Sequence, residues 1–110
     1  MTKYNVHEID DGRHYFYIEV PNGWKDLITE LVKDINKEIK AKNIFGFHID
    51  EITEKYGMLR IIANYELDCF KYYEIKSCHT CVICGEEAEH YSGESYWDLP
   101  YCKEHMPLQN

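Results

Sequence analysis

The sequence lacks the features of a membrane-spanning or secreted protein. No apolar run approaches the roughly 20 residues that a transmembrane helix needs. The chain opens on no basic stretch followed by an apolar one, so we expect no secretion signal and a cytoplasmic location. Proline and glycine are scarce, at 3 and 6 of 110 residues, and they form no linker. We therefore expect one compact unit without a membrane partner.

Basic residues are also scarce. The chain has 12 lysines and arginines against 20 aspartates and glutamates, a net charge of −8. The imbalance is steepest at the C-terminal end, where residues 77–110 carry six acids and one base. Residues 1–76 carry 14 acids and 11 bases. Affinity for nucleic acid rests on cationic side chains that neutralise phosphates, so this balance argues against direct nucleic-acid binding.

The cysteines point to a metal rather than to disulfides. Five is an odd number, and no secretion signal accompanies them. Cys81, Cys84 and Gly85 form a CxxCG turn, and Cys102 and His105 form a second pair 17 residues later. The spacing C-x2-C-x17-C-x2-H predicts a closed tetrahedral site for one structural Zn²⁺ per chain. A site whose four positions are all filled by protein leaves no position for a substrate.

Neighbouring residues leave the ligand set open. Cys78 precedes Cys81 by three positions, so a second CxxC overlaps the first, and His79 lies beside it. Either residue is an alternative ligand. The competing interpretation is a loop-rich tail with reduced cysteines, which leaves unexplained how a segment so poor in aliphatic residues becomes ordered. Cys69 has no partner at ligand spacing and is expected to be a small buried apolar residue.

The strongest helix signal follows Gly23. Apolar residues recur at helical spacing over residues 24–41: Trp24, Leu27, Ile28, Leu31, Val32, Ile35 and Ile39. One apolar stripe of period 3.6 predicts a long amphipathic helix that buries one face.

Alternating apolar residues on either side of this helix predict strands. One run is His14–Val20, with a weak partner strand before it. A hairpin follows the helix and turns at Glu54–Gly57. We expect one face of each of its strands to meet the helix: Phe45, Phe47 and Ile49 on the first strand, and Leu59, Ile61, Ala63 and Tyr65 on the second. Residues 66–77 favour a short helix. The fold class is α+β: an antiparallel sheet of three to four strands covered by one long helix over residues 1–76, with a small zinc-ribbon or treble-clef-like module over 77–110.

The C-terminal segment interleaves acids with aromatic residues. Aromatic side chains supply buried anchors at interfaces, and acids supply complementarity to a cationic groove. The pattern predicts a non-catalytic protein that binds a basic protein surface, as a monomer or weak dimer. The expected partner-binding residues are Glu86, Glu87, Glu89, Tyr91, Glu94, Tyr96 and Asp98.

Four segments carry a resemblance to known proteins: "PNGWKDLITELVKDI", "IDEITEKYGMLRIIANY", "TCVICGEEAE" and "YWDLPYCKEHM". Their order resembles a family of small bacterial and phage proteins with a Gly-Trp-led helix, a strand hairpin and a terminal zinc module. The resemblance covers roughly residues 21–106 and implies the ligands Cys81, Cys84, Cys102 and His105, but no activity. The chain departs from that family where Glu86, Glu87 and Glu89 replace a basic, glycine-rich stretch.

In size, acidity and metal motif the chain is also similar to phage-encoded anti-CRISPR proteins. That resemblance implies an inhibitor that binds the RNA-guided type II CRISPR effector nuclease and blocks its access to nucleic acid. Three alternatives stay open: a nucleic-acid-binding zinc ribbon, a small regulatory zinc protein and an enzyme. The zinc ribbon predicts a basic face, and the enzyme predicts an activated thiol at Cys78 or Cys69.

Overall fold

The computed structural model of the protein describes residues 2–3, 17–89 and 99–106. Within these ranges the chain forms an α+β structure, as predicted, in which a sheet and two α-helices share one core. The strands are β1 Thr2–Lys3, β2 Tyr17–Val20, β3 Ile49–Lys55 and β4 Met58–Ala63, and the helices are α1 Lys25–Lys42 and α2 Cys69–Ser77. None of the described helices is long and apolar enough to cross a membrane.

The sheet is mixed rather than antiparallel throughout. Its strand order is β1-β2-β3-β4, with β1 antiparallel to β2 and β3 antiparallel to β4. The central pair, β2 and β3, is parallel, with Ile18 opposite Ile52. The prediction of an antiparallel sheet is wrong for this pair because α1 lies between the two strands in the chain. A helix that crosses over the sheet brings the chain back to the end of the sheet at which the previous strand began. The next strand therefore runs in the same direction as the previous one.

Helix α1 covers the sheet with the predicted apolar stripe. It follows a short 3₁₀ turn at Asn22–Trp24 and ends where Asn43 takes a left-handed conformation, with φ of 52°. The prediction of residues 24–41 was correct to within one residue at each end. The stripe residues buried in the core are Trp24, Leu27, Ile28, Leu31, Val32 and Ile35.

The β3–β4 hairpin turns where the sequence predicts. Lys55 pairs with Met58, and the two residues between them, Tyr56 and Gly57, both have positive φ, at 55° and 83°. A two-residue turn of this kind matches the twist of the strands that flank it. The prediction that Phe45 faces the helix is wrong. Strand β3 begins only at Ile49, so Phe45 lies in the preceding loop, where it is 91% exposed.

Helix α2 confirms the short helix predicted over residues 66–77. The Glu38 carboxylate of α1 fixes the beginning of α2. It accepts hydrogen bonds from the backbone N–H groups of Asp68 and Cys69 at 2.7 and 3.0 Å. Glu38 also accepts the Lys42 ammonium at 2.7 Å. Partial burial raises the pKa of Glu38, but these donors outweigh that effect and lower it to about 2. A charged carboxylate thus fixes the first turn of α2 against α1.

The end of α2 is fixed to the sheet by one buried hydroxyl. Ser77 is 0% exposed; its Oγ donates to the carbonyl of Glu74 at 2.6 Å and accepts the N–H of Leu59 at 2.8 Å. Leu59 lies on β4, the last strand of the sheet, so the hydroxyl satisfies an edge N–H that would otherwise be buried without a partner.

Ser77→Ala tests this connection. We expect it to lower the free energy of unfolding by about 1–3 kcal/mol, because the buried Leu59 N–H loses its acceptor. Thr29→Ala is the matched control, since the Thr29 hydroxyl donates to Lys25 O at 3.0 Å on an exposed helix surface. Urea denaturation of the two variants measures the difference. Equal stabilities would contradict the role assigned to Ser77.

Candidate metal centre

The first half of the centre is a tight turn at Cys81–Gly85. The Gly85 N–H donates to the Cys81 carbonyl at 3.0 Å, and the Ile83 N–H points at the Cys81 Sγ at 3.4 Å. Gly85 has φ of +85°, a conformation that side-chain-bearing residues rarely adopt. The glycine of the CxxCG motif therefore allows the chain to curl back so that backbone amides approach the sulfur.

The second half is a short 3₁₀ turn at Lys103–His105. The His105 N–H donates to the Cys102 carbonyl at 3.1 Å, which brings the two side chains of this pair to one side. Backbone hydrogen bonds join the two halves: Val82 N–H to Pro100 O at 3.0 Å, and Glu89 N–H to Tyr101 O at 2.9 Å. Seventeen intervening residues thus return the chain to the first turn.

The four predicted ligands converge. One donor atom from each of Cys81, Cys84, Cys102 and His105 lies within 4.8 Å of the other three. The Cys84 and Cys102 sulfurs are 3.7 Å apart, and His105 Nδ1 lies 3.2 Å from the Cys102 sulfur and 3.9 Å from the Cys81 sulfur. This Cys₃His group is compatible with one structural metal ion.

Burial and charge differ among the ligands. Cys81 and Cys102 are buried, His105 is half-buried and Cys84 is exposed. Burial raises the pKa of the Cys81 thiol, but the backbone N–H groups of Cys102, Cys84 and Ile83 outweigh it and lower the pKa to about 6. For Cys84, the Glu86 N–H lowers the pKa, but desolvation and the two neighbouring sulfurs outweigh it and raise the pKa. Cys81 is thus prepared to be a thiolate, which is the form that binds metal.

The alternative ligands lie outside the group. Cys78 caps the end of α2, and its thiol points at the Glu74 carbonyl at 3.6 Å. His79 is exposed and is not among the converging donors. Cys69 is half-buried and packs against the core beside Glu38, close to the buried position predicted for it. Of the overlapping CxxC pairs, only Cys81 and Cys84 contribute to the group.

The centre is bound tightly to the start of α1, a contact that the sequence reasoning missed. The Gly23 N–H donates to Val82 O at 2.9 Å, and the buried indole N–H of Trp24 donates to Thr80 O at 2.9 Å. A Cβ at Gly23 would lie 2.2 Å from Cys81 O, so only glycine permits this approach. The adjacent Gly-Trp pair was visible in the sequence, but nothing there linked it to a turn some 58 residues away.

The predicted partner-binding residues are only partly described. Glu86, Glu87 and Glu89 are exposed on the segment that follows the turn. In this segment the backbone of Glu87 forms an antiparallel β-bridge with that of Thr80. Cys81 N–H donates to Glu86 O at 2.8 Å, and Ala88 N–H donates to His79 O at 2.8 Å. The other four residues predicted for this role lie outside the described ranges: Tyr91, Glu94, Tyr96 and Asp98.

Comparison with known proteins finds no matching family model, no curated protein and no solved structure. The resemblance to the small bacterial and phage family, and the similarity to anti-CRISPR proteins, therefore stay predictions.

Gly23→Ala tests the contact between the metal centre and α1. The added methyl group must displace backbone atoms of Cys81 and Val82. Overpacking of this kind costs about 1–3 kcal/mol, so we expect metal affinity to fall roughly ten-fold or more. Competition with a chromophoric chelator measures the affinity. Asn22→Ala, at the exposed neighbouring position, is the control and should bind metal as the wild type does.

Serine substitutions test the ligand set. Cys102→Ser should release the ion, because a hydroxyl stays protonated near neutral pH and is a poor ligand. Cys78→Ser should retain it, since Cys78 faces the end of α2. Elemental analysis of the purified variants gives the metal content per chain. Loss of metal from Cys78→Ser would show that the observed group is not the binding site.

Proposed function

We propose that the ion is zinc and that this is a non-catalytic binding protein whose acidic knuckle engages a basic surface on another protein. The acidic knuckle is the segment 79–89, which comprises the Cys81–Gly85 turn and the acids that follow it. The observation that carries the proposal is the fixed placement of three exposed carboxylates beside the Cys₃His group.

The donor set favours zinc. Tetrahedral zinc, with Zn–S of about 2.3 Å and Zn–N of about 2.0–2.1 Å, separates two sulfurs by about 3.8 Å and a sulfur from a nitrogen by about 3.6 Å. The observed sulfur separation of 3.7 Å matches the first value, and the sulfur–nitrogen distances of 3.2 and 3.9 Å bracket the second. Soft thiolates with one imidazole are typical of structural zinc, which leaves no open coordination position.

The acidic character of the knuckle supports a basic partner. Glu86, Glu87 and Glu89 lie within four positions, and backbone hydrogen bonds fix both strands of the knuckle. The backbone that carries these carboxylates is therefore ordered before a partner arrives, so binding has to order only their side chains. Three thiolates and one Zn²⁺ add one further negative charge to the same region. Complementary charge raises the association rate and selects cationic surfaces over acidic ones.

The remaining thiols support a non-catalytic role. A nucleophilic cysteine needs a pKa lowered towards neutrality. Burial is the larger cause, and the neighbouring Glu38 the second, of a pKa of Cys69 that is raised to about 12. Burial also raises the pKa of Cys78. Both shifts run against an activated nucleophile, and the cysteines of the Cys₃His group would be committed to the ion.

The specific partner we propose is the type II CRISPR effector nuclease, which the similarity to anti-CRISPR proteins suggests. Such a nuclease holds its nucleic acids in a positively charged channel. An acidic surface placed there would compete with phosphate for the same lysines and arginines. Two of the lysines on the helices are already neutralised by carboxylates: Lys42 pairs with Glu38 and Asp68, and Lys76 pairs with Glu30.

Charge removal on the knuckle tests the proposal. We expect Glu86→Gln/Glu87→Gln to bind the purified effector nuclease with roughly three- to ten-fold lower affinity, because two complementary charges are lost. The effect should shrink at higher salt, where exposed charges are screened. Isothermal titration calorimetry against the guide-free and guide-loaded nuclease measures the affinity.

Asp26→Asn/Asp50→Asn is the matched control, since it removes the same charge from exposed positions on α1 and β3. It should bind as the wild type does. Equal losses in both double variants would show that only net charge matters. Absence of binding by the wild type would exclude this partner, and a gel shift of labelled single-stranded or duplex DNA by the wild type would favour the nucleic-acid-binding alternative.

A further inference from the structure

The loop between α1 and β3 exposes an aromatic side chain beside an ordered stretch of backbone. Phe45 is 91% exposed, yet the residues after it are firmly held. Asn64 Nδ2 donates to Gly46 O at 2.9 Å, and Asn64 Oδ1 accepts the His48 N–H at 2.8 Å. The Asn64 N–H donates to His48 O at 3.1 Å. Three hydrogen bonds to one residue thus order the backbone that directly follows this exposed apolar side chain.

The surroundings of this ring suit an interface. Tyr65, next to the anchoring Asn64, is 47% exposed. The exposed Glu66 directly follows Tyr65, and the exposed Asp50 on β3 lies 3.7 Å from the His48 ring, between Oδ1 and Nε2. We call residues 45–48 with Tyr65 and Glu66 the Phe45 loop. An ordered aromatic anchor with an acidic rim fits a shallow aromatic groove with a cationic rim.

The chain itself contains such a groove. A surface cavity of about 530 Å³ lies between α1 and α2, with Tyr72 on one wall, 60% exposed. Lys33 and Lys37 line the opposite wall one helical turn apart, and neither makes an ion pair with a described residue. Lys76 is already held by Glu30 at 2.9 Å. Two carboxylates also line the groove, Glu30, which is paired with Lys76, and Asp34, which accepts a hydrogen bond from the Tyr73 hydroxyl. With Lys33 and Lys37 the groove therefore offers an aromatic surface and a small excess of positive charge.

We propose that the Phe45 loop of one copy docks into the α1–α2 groove of a second copy, and that the reciprocal contact forms a two-fold dimer. Phe45 follows the C-terminal end of α1, while Lys33 and Lys37 lie in its middle turns. Two α1 helices that run antiparallel to each other thus bring each loop to the other copy's groove. A two-fold contact of this kind is closed and does not extend into fibres.

The dimer should be weak. A fully buried aromatic side chain removes about 150–250 Å² from water, and Tyr65 is already half covered, so two copies of Phe45 and Tyr65 bury roughly 400–700 Å². That is at or below the lower limit of specific interfaces, which begin near about 1,200 Å². Each copy also carries a net charge of −8, so the local attraction works against long-range repulsion. We therefore expect a dissociation constant on the order of 10–100 μM.

Sedimentation equilibrium of the metal-loaded full chain, from roughly 5 to 500 μM, covers this range. The wild type should shift from monomer to dimer. Phe45→Ala should remain monomeric throughout, and its circular dichroism should match the wild type because the ring makes no core contact. Met58→Ala is the matched control, a large exposed apolar residue on β4, and should dimerise like the wild type.

A charge exchange distinguishes this dimer from any other. Lys37→Glu and Glu66→Lys should each weaken association at least roughly five-fold, because each places like charges at the loop–groove contact. The double variant should regain association, since the pair is again of opposite sign. A wild type that stays monomeric at the highest concentration would overturn the proposal. So would a dimer that survives Phe45→Ala, or single-variant losses that the double variant does not repair.

Discussion

The close approach of Gly23 and Trp24 to the metal-binding turn is the contact on which the rest of the structure depends. Gly23 lies against the backbone of Cys81 and Val82, and the Trp24 indole reaches Thr80. Trp24 is also the first buried residue of the stripe along α1. One contact therefore fixes the backbone at the start of the long helix. The same contact holds the knuckle against the core at that end of the helix.

This contact joins the stability of the two parts of the chain. Val82 belongs to the main core cluster, and Leu99 and Tyr101 pack against it, so the metal-binding segments share apolar surface with α1 and the sheet. Structural zinc contributes on the order of 10 kcal/mol of apparent binding energy in small modules. Because the Cys₃His group and the core share the same backbone, an ion bound there would stabilise the core as well as the loop that carries the ligands.

Several features of the fold and the site could be predicted from local patterns. The Cys81–Cys84 spacing with Gly85 predicted a turn in which amides approach the sulfur, and the apolar period of 3.6 predicted α1. Both signals act over a few residues. The parallel pairing of β2 with β3 could not be predicted without the path of the chain through the crossover helix. The exposure of Phe45 could not be predicted without knowing the residue at which β3 begins.

The sequence by itself determined the amphipathic helix, the paired Cys/His spacing of a metal site and the acidic character of the C-terminal segment, because each depends on the identity and spacing of residues close together in the chain. Only the tertiary structure decided the rest. It placed Cys78 at the end of α2, away from the ligands, and held the Gly23 N–H against Val82. These outcomes depend on long-range backbone contacts, in which residues tens of positions apart compete for the same space and hydrogen-bonding groups.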